Sequence, residues 1–326
     1  MHVRRGALGW GVFLILAGAI PLAVRAGIMS EAQVNDLWQL WPMILIGLGV
    51  GLLLGRSRFA FIGGLIVAAT FGIIIGGLLS VTLGGAGLTG GICGSPDNAA
   101  AFPDRSSMFS AAAADVDIET DCSDLTIATK SGLDWSVSGL DQQAPDLTYG
   151  AGVLRVHSSN GPSLAFFAAR STWNVTIPTG LPVDLRTVLS AGTVNVDLTG
   201  AQVGLADFGL NAASSTLDLG SVAAIRELDV EVNAGTAGIT LPNLSLTGTI
   251  QANAGSVRLC VPAGAGLRLE TSGSIVASND YAANGLVEDE DVWSTPGFDS
   301  ATVRIDLKTD GNAASFTLDP KEGCHG

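Results

Sequence analysis

Residues Asn233 to Pro262, NAGTAGITLPNLSLTGTIQANAGSVRLCVP, contain one phrase twice: Asn-Ala-Gly opens at Asn233 and again at Asn253, each time followed by an alternating apolar run. Upstream, Ser190-Ala191-Gly192 and Asn211-Ala212-Ala213 hold the same place, so the phrase recurs at steps of 21, 22 and 20 residues. With the phrases aligned, Val196, Leu217, Ile239 and Leu259 coincide, and so do Leu198, Leu219, Leu241 and Val261. Side chains alternate between the two faces of a strand, so the columns between them, Asp197, Asp218, Thr240 and Cys260, are expected to face outward. Ahead of each phrase a second strand brings Phe208, Val230 and Ile250 into register. A period of about 20 residues with two or three short strands per unit is the signature of a β-solenoid, whose rungs bury their apolar sides on one another. Each phrase reads as a turn followed by a strand. Asn211, Asn233, Asn253 and, beyond a fading of the pattern near Thr271-Ser272-Gly273, Asn312 mark these solenoid turns, where stacked asparagines can form a hydrogen-bonded ladder. A β-sandwich also shows strands every 8 to 12 residues or so, but the coincidence of columns across the repeats favours a single-stranded β-solenoid, or β-helix.

Short alternating runs such as Val116/Ile118, Leu125/Ile127 and Leu228/Val230/Val232 carry this all-β reading back to Met108, so the exported domain is expected over 108–326. The N-terminal part is different. The mean hydropathy of the chain is +0.43 and charged residues are 14% of its 326, against roughly 25% in soluble domains. Three apolar runs, 7–24, 37–55 and 59–83, approach or exceed the roughly 20 helical residues that cross a bilayer, so residues 1–83 read as a membrane α-helical region of three transmembrane helices. The first run could serve as a signal peptide, but two more spans follow it without a clear small-residue cleavage site. Arg4 and Arg5 precede the first span and Arg56 and Arg58 lie between the second and third. The loop 25–36 holds Arg25 against Glu31 and Asp36. Arginine-rich short loops stay in the cytoplasm, which places the N-terminus inside and everything beyond Leu83 outside a bacterial inner membrane. Gly47, Gly51 and Gly55, then Gly64, Ala68, Gly72, Gly76 and Ser80, recur every fourth residue and are helix-packing candidates, for this protein's own helices or for a partner's. Residues 84–107, rich in Gly, Ala, Ser and Pro, read as a linker.

Charge narrows the function. Before Leu83 five arginines face two acids, a net of +3, which leaves −17 beyond it for a total of −14. A domain so acidic excludes nucleic acid as a partner, since phosphate backbones are held by clustered Lys and Arg. The four cysteines, Cys93, Cys122, Cys260 and Cys324, all fall in the exported part and are disulfide candidates. Of three pairings, Cys93 with Cys122 and Cys260 with Cys324 is preferred, tying the linker to the first rung and the C-terminal tail to an outward column. Cys324-His325 is the only adjacent donor pair for a metal, and no Cys-x-x-Cys or His-x-His spacing accompanies it. His157 and His325 are the histidines available to a nucleophile in this half, too few partners for acid–base catalysis, and His157 reads as an exposed strand residue. Glu288-Asp289-Glu290-Asp291 lacks the spacing and glycine of a calcium loop and reads as solvated. No catalytic site, cofactor site or metal site is therefore expected, and the chain does not read as an enzyme.

Two stretches carry a resemblance. GWGVFLILAGAIPLA (9–23) and LWQLWPMILIGLGVGLLLG (37–55) resemble the transmembrane region of LiaF/LiaI-type bacterial envelope-stress proteins, in which a glycine-bearing apolar helix is followed by a Trp-Pro that opens the next. IPTGLPVDLRTVLSAGTVNVDLTG (177–200), NAGTAGITLPN (233–243) and NAGSVRLCVPAG (253–264) are similar to the toast-rack type of β-solenoid often fused to such regions. The first resemblance implies restraint of a membrane sensor kinase, the second a candidate adhesion or scaffold module. LiaF-type proteins are usually drawn with four spans and a cytoplasmic C-terminal domain, whereas the arginines here imply three spans and an external one. The expectation is a non-enzymatic membrane-anchored envelope protein, a stress regulator or a scaffold or adhesion module. Its partners would be membrane lipid and a membrane protein such as a sensor kinase, or a second copy. Solenoids that assemble end to end are the alternative, and an envelope hydrolase is the weakest one.

Overall fold

The structure is a computed structural model, and it describes residues 14–15, 68–70, 72–73, 93, 99–159, 170–273 and 278–319. The chain divides into two compact units, Met1–Gly91 and Ile92–Gly326. In the first, the short described stretches, Gly72 among them, are helical. No helix among the described residues is long and apolar enough to cross a membrane. The rest of the expected spans, with Gly47, Gly51, Gly55, Gly64 and Gly76, lies outside the described residues.

The second unit is nearly all β: among the described residues sixteen strands join one sheet. The long ones are β3 (Ala114–Lys130), β8 (Pro182–Asp197), β9 (Gln202–Asp218), β10 (Glu227–Thr240), β11 (Leu246–Cys260) and β16 (Arg304–Leu318). β8, β9, β10 and β11 pair in parallel in chain order, one per rung of a β-solenoid. The register puts Val196, Leu217, Ile239 and Leu259 in one file and Phe208, Val230 and Ile250 in another, and these side chains are buried throughout. Their burial removes about 1.5–3 kcal/mol of apolar surface per side chain from water, which is the term that holds rung on rung.

The repeated phrase is not a turn before a strand. It lies inside one, and it is where the strand bends. In β10 the inward residues are Leu228, Val230 and Val232, then Gly235, Ala237 and Ile239. Inward phase thus slips by one residue at Asn233-Ala234, and the same slip falls at Asn211-Ala212 in β9 and Asn312-Ala313 in β16. Each rung has a first arm, a corner at the phrase and a second arm, and backbone pairing resumes one residue past the corner. The small residue after the asparagine makes this possible. At Gly235, with φ +134°, an added Cβ would collide with the Ala213 carbonyl of the rung below, in a region of φ that L side chains avoid.

Strand order departs from chain order at both ends. β6 (Val153–His157) pairs with the first arm of β3 and β7 (Ser171–Pro178) with its second arm, so β3 lies between them and β8. At the other end β16 lies between β11 and β12 (Gly266–Gly273), parallel to both. Antiparallel strands then cover the ends. β5 (Asp146–Gly150) pairs with β6, and β4 (Asp134–Asp141) with β7. β15 (Val292–Ser294) pairs with β12 and β14 (Val287–Asp289) with β15. The linker stretch 84–107 is partly structured as well: β1 (Ala100–Ala101) and β2 (Arg105–Met108) add to β4. All six of these residues are exposed, so they carry no apolar alternation by which a strand could be read.

Candidate functional site: two polar faces and an asparagine corner

Outward side chains fall into files because the rungs are in register about 4.8 Å apart. On the second arm, Thr172, Asp124, Thr193, Ser214, Thr236, Ser256 and Ser315 form one file across β7, β3, β8, β9, β10, β11 and β16. The hydroxyls bond along it: Thr193 Oγ1 donates to Asp124 Oδ1 at 2.6 Å, and Ser214 Oγ lies 2.9 Å from Thr236 Oγ1. A parallel file holds Asp197, Asp218, Thr240 and Cys260. Asp197 Oδ1 accepts from Thr199 N and Asp218 Oδ1 from Gly220 N, both at 2.9 Å, so the same side-chain turn closes the arm on successive rungs. The Thr199 bonds hold the Asp197 carboxyl below its ordinary pKa. These two files are built mainly from short polar side chains, and the file between them carries Asn195, Thr216 and the longer Arg258.

At the corner the asparagines form a ladder. Asn233 Nδ2 donates to Asn211 Oδ1 at 2.9 Å, Asn253 Nδ2 to Asn233 Oδ1 at 2.5 Å, and Asn312 Nδ2 to Asn253 Oδ1 at 2.7 Å. Two rungs beyond Asn211 the corner position is Asp121, beside Cys122, which pairs with Ala191. Burial pushes the Asp121 carboxyl up in pKa, and Glu119 adds to the shift.

The first-arm face is charged, a feature sequence reading missed. One file runs Arg155, Asp117, Arg186, Asp207, Asp229, Thr249, Lys308, Glu270 across β6, β3, β8, β9, β10, β11, β16 and β12. Arg155 Nε is 3.9 Å from Asp117 Oδ2 and Arg186 Nε 3.6 Å from Asp207 Oδ2. Partial burial raises the Asp207 pKa; Arg186 opposes this, and Asp229, Glu231 and Asp117 reinforce it. The available signal was the recurrence of an acid at Asp207 and Asp229, 22 residues apart in the register that aligns Phe208 with Val230.

The remaining candidates are scattered. A disulfide joins Cys93 to Cys122, with Cα atoms 5.5 Å apart. Cys260 is also disulfide-bonded; Cys324, with His325, lies outside the described residues. His157 in β6, in register with Glu119, places Nε2 3.3 Å from Asp117 Oδ2 and Nδ1 4.0 Å from Glu119 Oε2, so it joins the charged face one file over. Glu288 and Asp289 lie in β14 and Glu290-Asp291 form the β14–β15 turn, in which Glu290 has φ +55°. Among the described residues no group of three His, Cys, Asp or Glu is placed to hold a metal ion.

Residues 104–242 match the family described as the N-terminal domain of toast_rack, DUF2154. No curated protein matches the chain. Among solved structures, a candidate cell adhesion protein from Clostridium sporogenes is 14% identical over 66% of this chain and 98% of its own, with a TM-score of 0.45. A candidate adhesin from Bacteroides fragilis is 10% identical over 69% of this chain and 99% of its own, with a TM-score of 0.33. Likeness at that level carries no argument about function. The toast-rack match spans the first rungs of the solenoid, from β2 to the end of the second arm of β10.

Proposed function

We propose that the chain is a non-enzymatic, membrane-anchored protein of the bacterial cell envelope that works by surface contact, as an adhesion or scaffold module, through its β-solenoid held outside the inner membrane. The observation that carries this reading is the second-arm face. Its files of Thr, Ser, Asn and Asp are rigid and in register on a toast-rack-type solenoid. A preordered array loses little conformational entropy on contact and offers many weak polar contacts at once. The arginines at 4, 5, 56 and 58 support the external placement, and the small residues at every fourth position of the apolar region would let a sensor kinase or a second copy sense occupancy. The role in envelope stress rests on the LiaF-like stretches 9–23 and 37–55 alone. End-to-end assembly is the weaker reading, since antiparallel strands β5, β4, β15 and β14 lie over the terminal rungs and short antiparallel strands are a way of blunting a pairable edge.

Topology and contact can be tested together on the full chain. In intact spheroplasts an impermeant maleimide is expected to label the cysteines only after reduction by an impermeant reductant. Cells carrying the chain should retain more purified cell-wall sacculi than cells whose chain stops at Leu83. Thiols labelled only after the membrane is broken would overturn the external placement and leave cytoplasmic control of a kinase as the better reading. External thiols with equal sacculus binding would overturn adhesion and keep the anchor.

A further inference from the structure

The chain is strongly acidic, and half of the arginines of the β unit are committed to ion pairs. Arg155, Arg170, Arg186 and Arg268 each make an ion pair. Among the described residues no ion pair involves Arg226 or Arg304, and both line one cavity of about 440 Å³ at the start of the first arms of β10, β11, β16 and β12. That volume lies within the range of small-molecule sites, roughly 300–1,000 Å³.

The rungs set the spacing. Arg226 immediately precedes β10 and its carbonyl accepts from Thr247 N at 3.2 Å. Arg304 opens β16, and its backbone N donates to Ser245 Oγ at 2.9 Å. The two arginines therefore stand two rungs apart, about 10 Å, on either side of the β11 rung that carries Ser245 and Thr247. A third guanidinium, Arg268, closes the cavity. It is held in place by Asp306 and lies 4.8 Å over the Phe298 ring, so it is oriented before any ligand arrives. The Asp306 carboxylate is occupied by that pair, which leaves Asp299 as the one other acid in the lining. Asp184, near Arg226 across Gly204, is engaged by the Leu205 N–H at 2.9 Å. Three arginines and two acids line the cavity, with Asp184 and Glu270 close by, so its charge is near balance while two of its guanidiniums, those of Arg226 and Arg304, make no ion pair among the described residues. Its floor is apolar, built of Ile225, Leu246 and Phe298, all buried.

The geometry points to a binding site for an oxyanion, a phosphate or carboxylate group, borne on a compact body such as a sugar ring. Guanidinium forks match the planar or tetrahedral oxygens of such groups with paired N–H donors. Ser245 and Thr247 supply hydroxyls between the two arginines, and the apolar floor takes the ring. The site stands apart from the second-arm face and does not depend on which side of the membrane the domain occupies.

Calorimetric titration of the purified full chain in nonionic detergent with glucose 6-phosphate, glucuronate and glucose tests the proposal. Both anionic sugars, or one of them, should bind, and glucose should bind at least tenfold more weakly. Preference between the two anions identifies phosphate or carboxylate as the group recognised. The double variant Arg226→Gln/Arg304→Gln should lose the anion by at least tenfold, with an unchanged thermal midpoint. Thr247→Glu, at an exposed position in the middle of the lining, should do the same by repulsion, so the proposal survives if one variant folds poorly. Arg105→Gln, away from the cavity, should leave affinity unchanged. Equal binding of glucose and the anions, no binding of any at millimolar concentration, or retained binding in both variants would overturn it.

Discussion

At the scale of single residues, the corner asparagines do a job that neither neighbour on the chain can do. Asn233 donates to Asn211 and to Glu231 Oε1 and accepts from Asn253, whereas Asn211 sits at the end of the ladder and accepts from Asn233 alone. A net bond contributes about 0.5–1.5 kcal/mol, so Asn233→Ala, losing three bonds, should cost about 1.5–4.5 kcal/mol in chemical denaturation and Asn211→Ala about a third of that. Equal losses would show that the ladder is not what the asparagines contribute. One residue past the corner the constraint is steric. Gly235→Ala places a Cβ against the Ala213 carbonyl at φ +134°. The backbone conformation alone costs about 1–3 kcal/mol for a non-glycine residue, so the variant should unfold at lower denaturant than Gly238→Ala, whose glycine has no positive φ. The asparagines were visible in the sequence because the phrase repeats. The bend was not, because Asn-Ala-Gly is equally the composition of an open turn, and only the one-residue slip of inward phase distinguishes a bent strand from a break.

At the scale of elements, the inner files were legible and the outer ones only half so. Apolar residues at a two-residue period announce a strand whichever rung they sit on, and the 20- to 22-residue steps then fix which strand lies on which. Outward residues are less constrained. The file through Asp197, Asp218, Thr240 and Cys260 could be read once the inner files were aligned, but the first-arm charges lie ahead of the repeated phrase where the alignment had one apolar column to hold it. That charged file makes a prediction about pH. Asp207 has its pKa raised above 3.8 chiefly by burial and then by Asp229, Glu231 and Asp117, with Arg186 too weak to reverse the sign. A carboxyl raised in the folded state favours folding while protonated, below about pH 3.8, and that contribution is lost as pH rises through the shifted value. Asp207→Asn should therefore raise the melting temperature at pH 7 and leave it nearly unchanged at pH 3. A variant that lowers the midpoint at pH 7 would show that the Arg186 pair outweighs the burial.

At the scale of the whole molecule, the chain does not build its stack from one end to the other. A simple solenoid gains its stability from neighbouring rungs, so removing the last one in sequence forfeits a single interface. Here the last strand is not the last rung. β16 lies between β11 and β12 and pairs in parallel with both, thirteen residue pairs on one side and eight on the other. It also continues the ladder, since Asn312 donates to Asn253, and completes the inner files with Ile305, Leu307 and Phe316. Truncation after Val303 should therefore remove two interfaces, expose the second arm of β11 and detach β12 with the β14–β15 hairpin. Removal of the β14–β15 hairpin alone, by joining Asn284 to Thr295, takes away one short antiparallel contact with β12. Urea unfolding of the two deletions separates the cases: the hairpin deletion should keep one cooperative transition at a modestly lower midpoint, while the truncation at Val303 should lose most of the pre-transition baseline. If the truncated chain unfolds as cooperatively as the intact one, β11 can end the stack unaided, and the inserted strand is an addition to the solenoid instead of the piece that closes it.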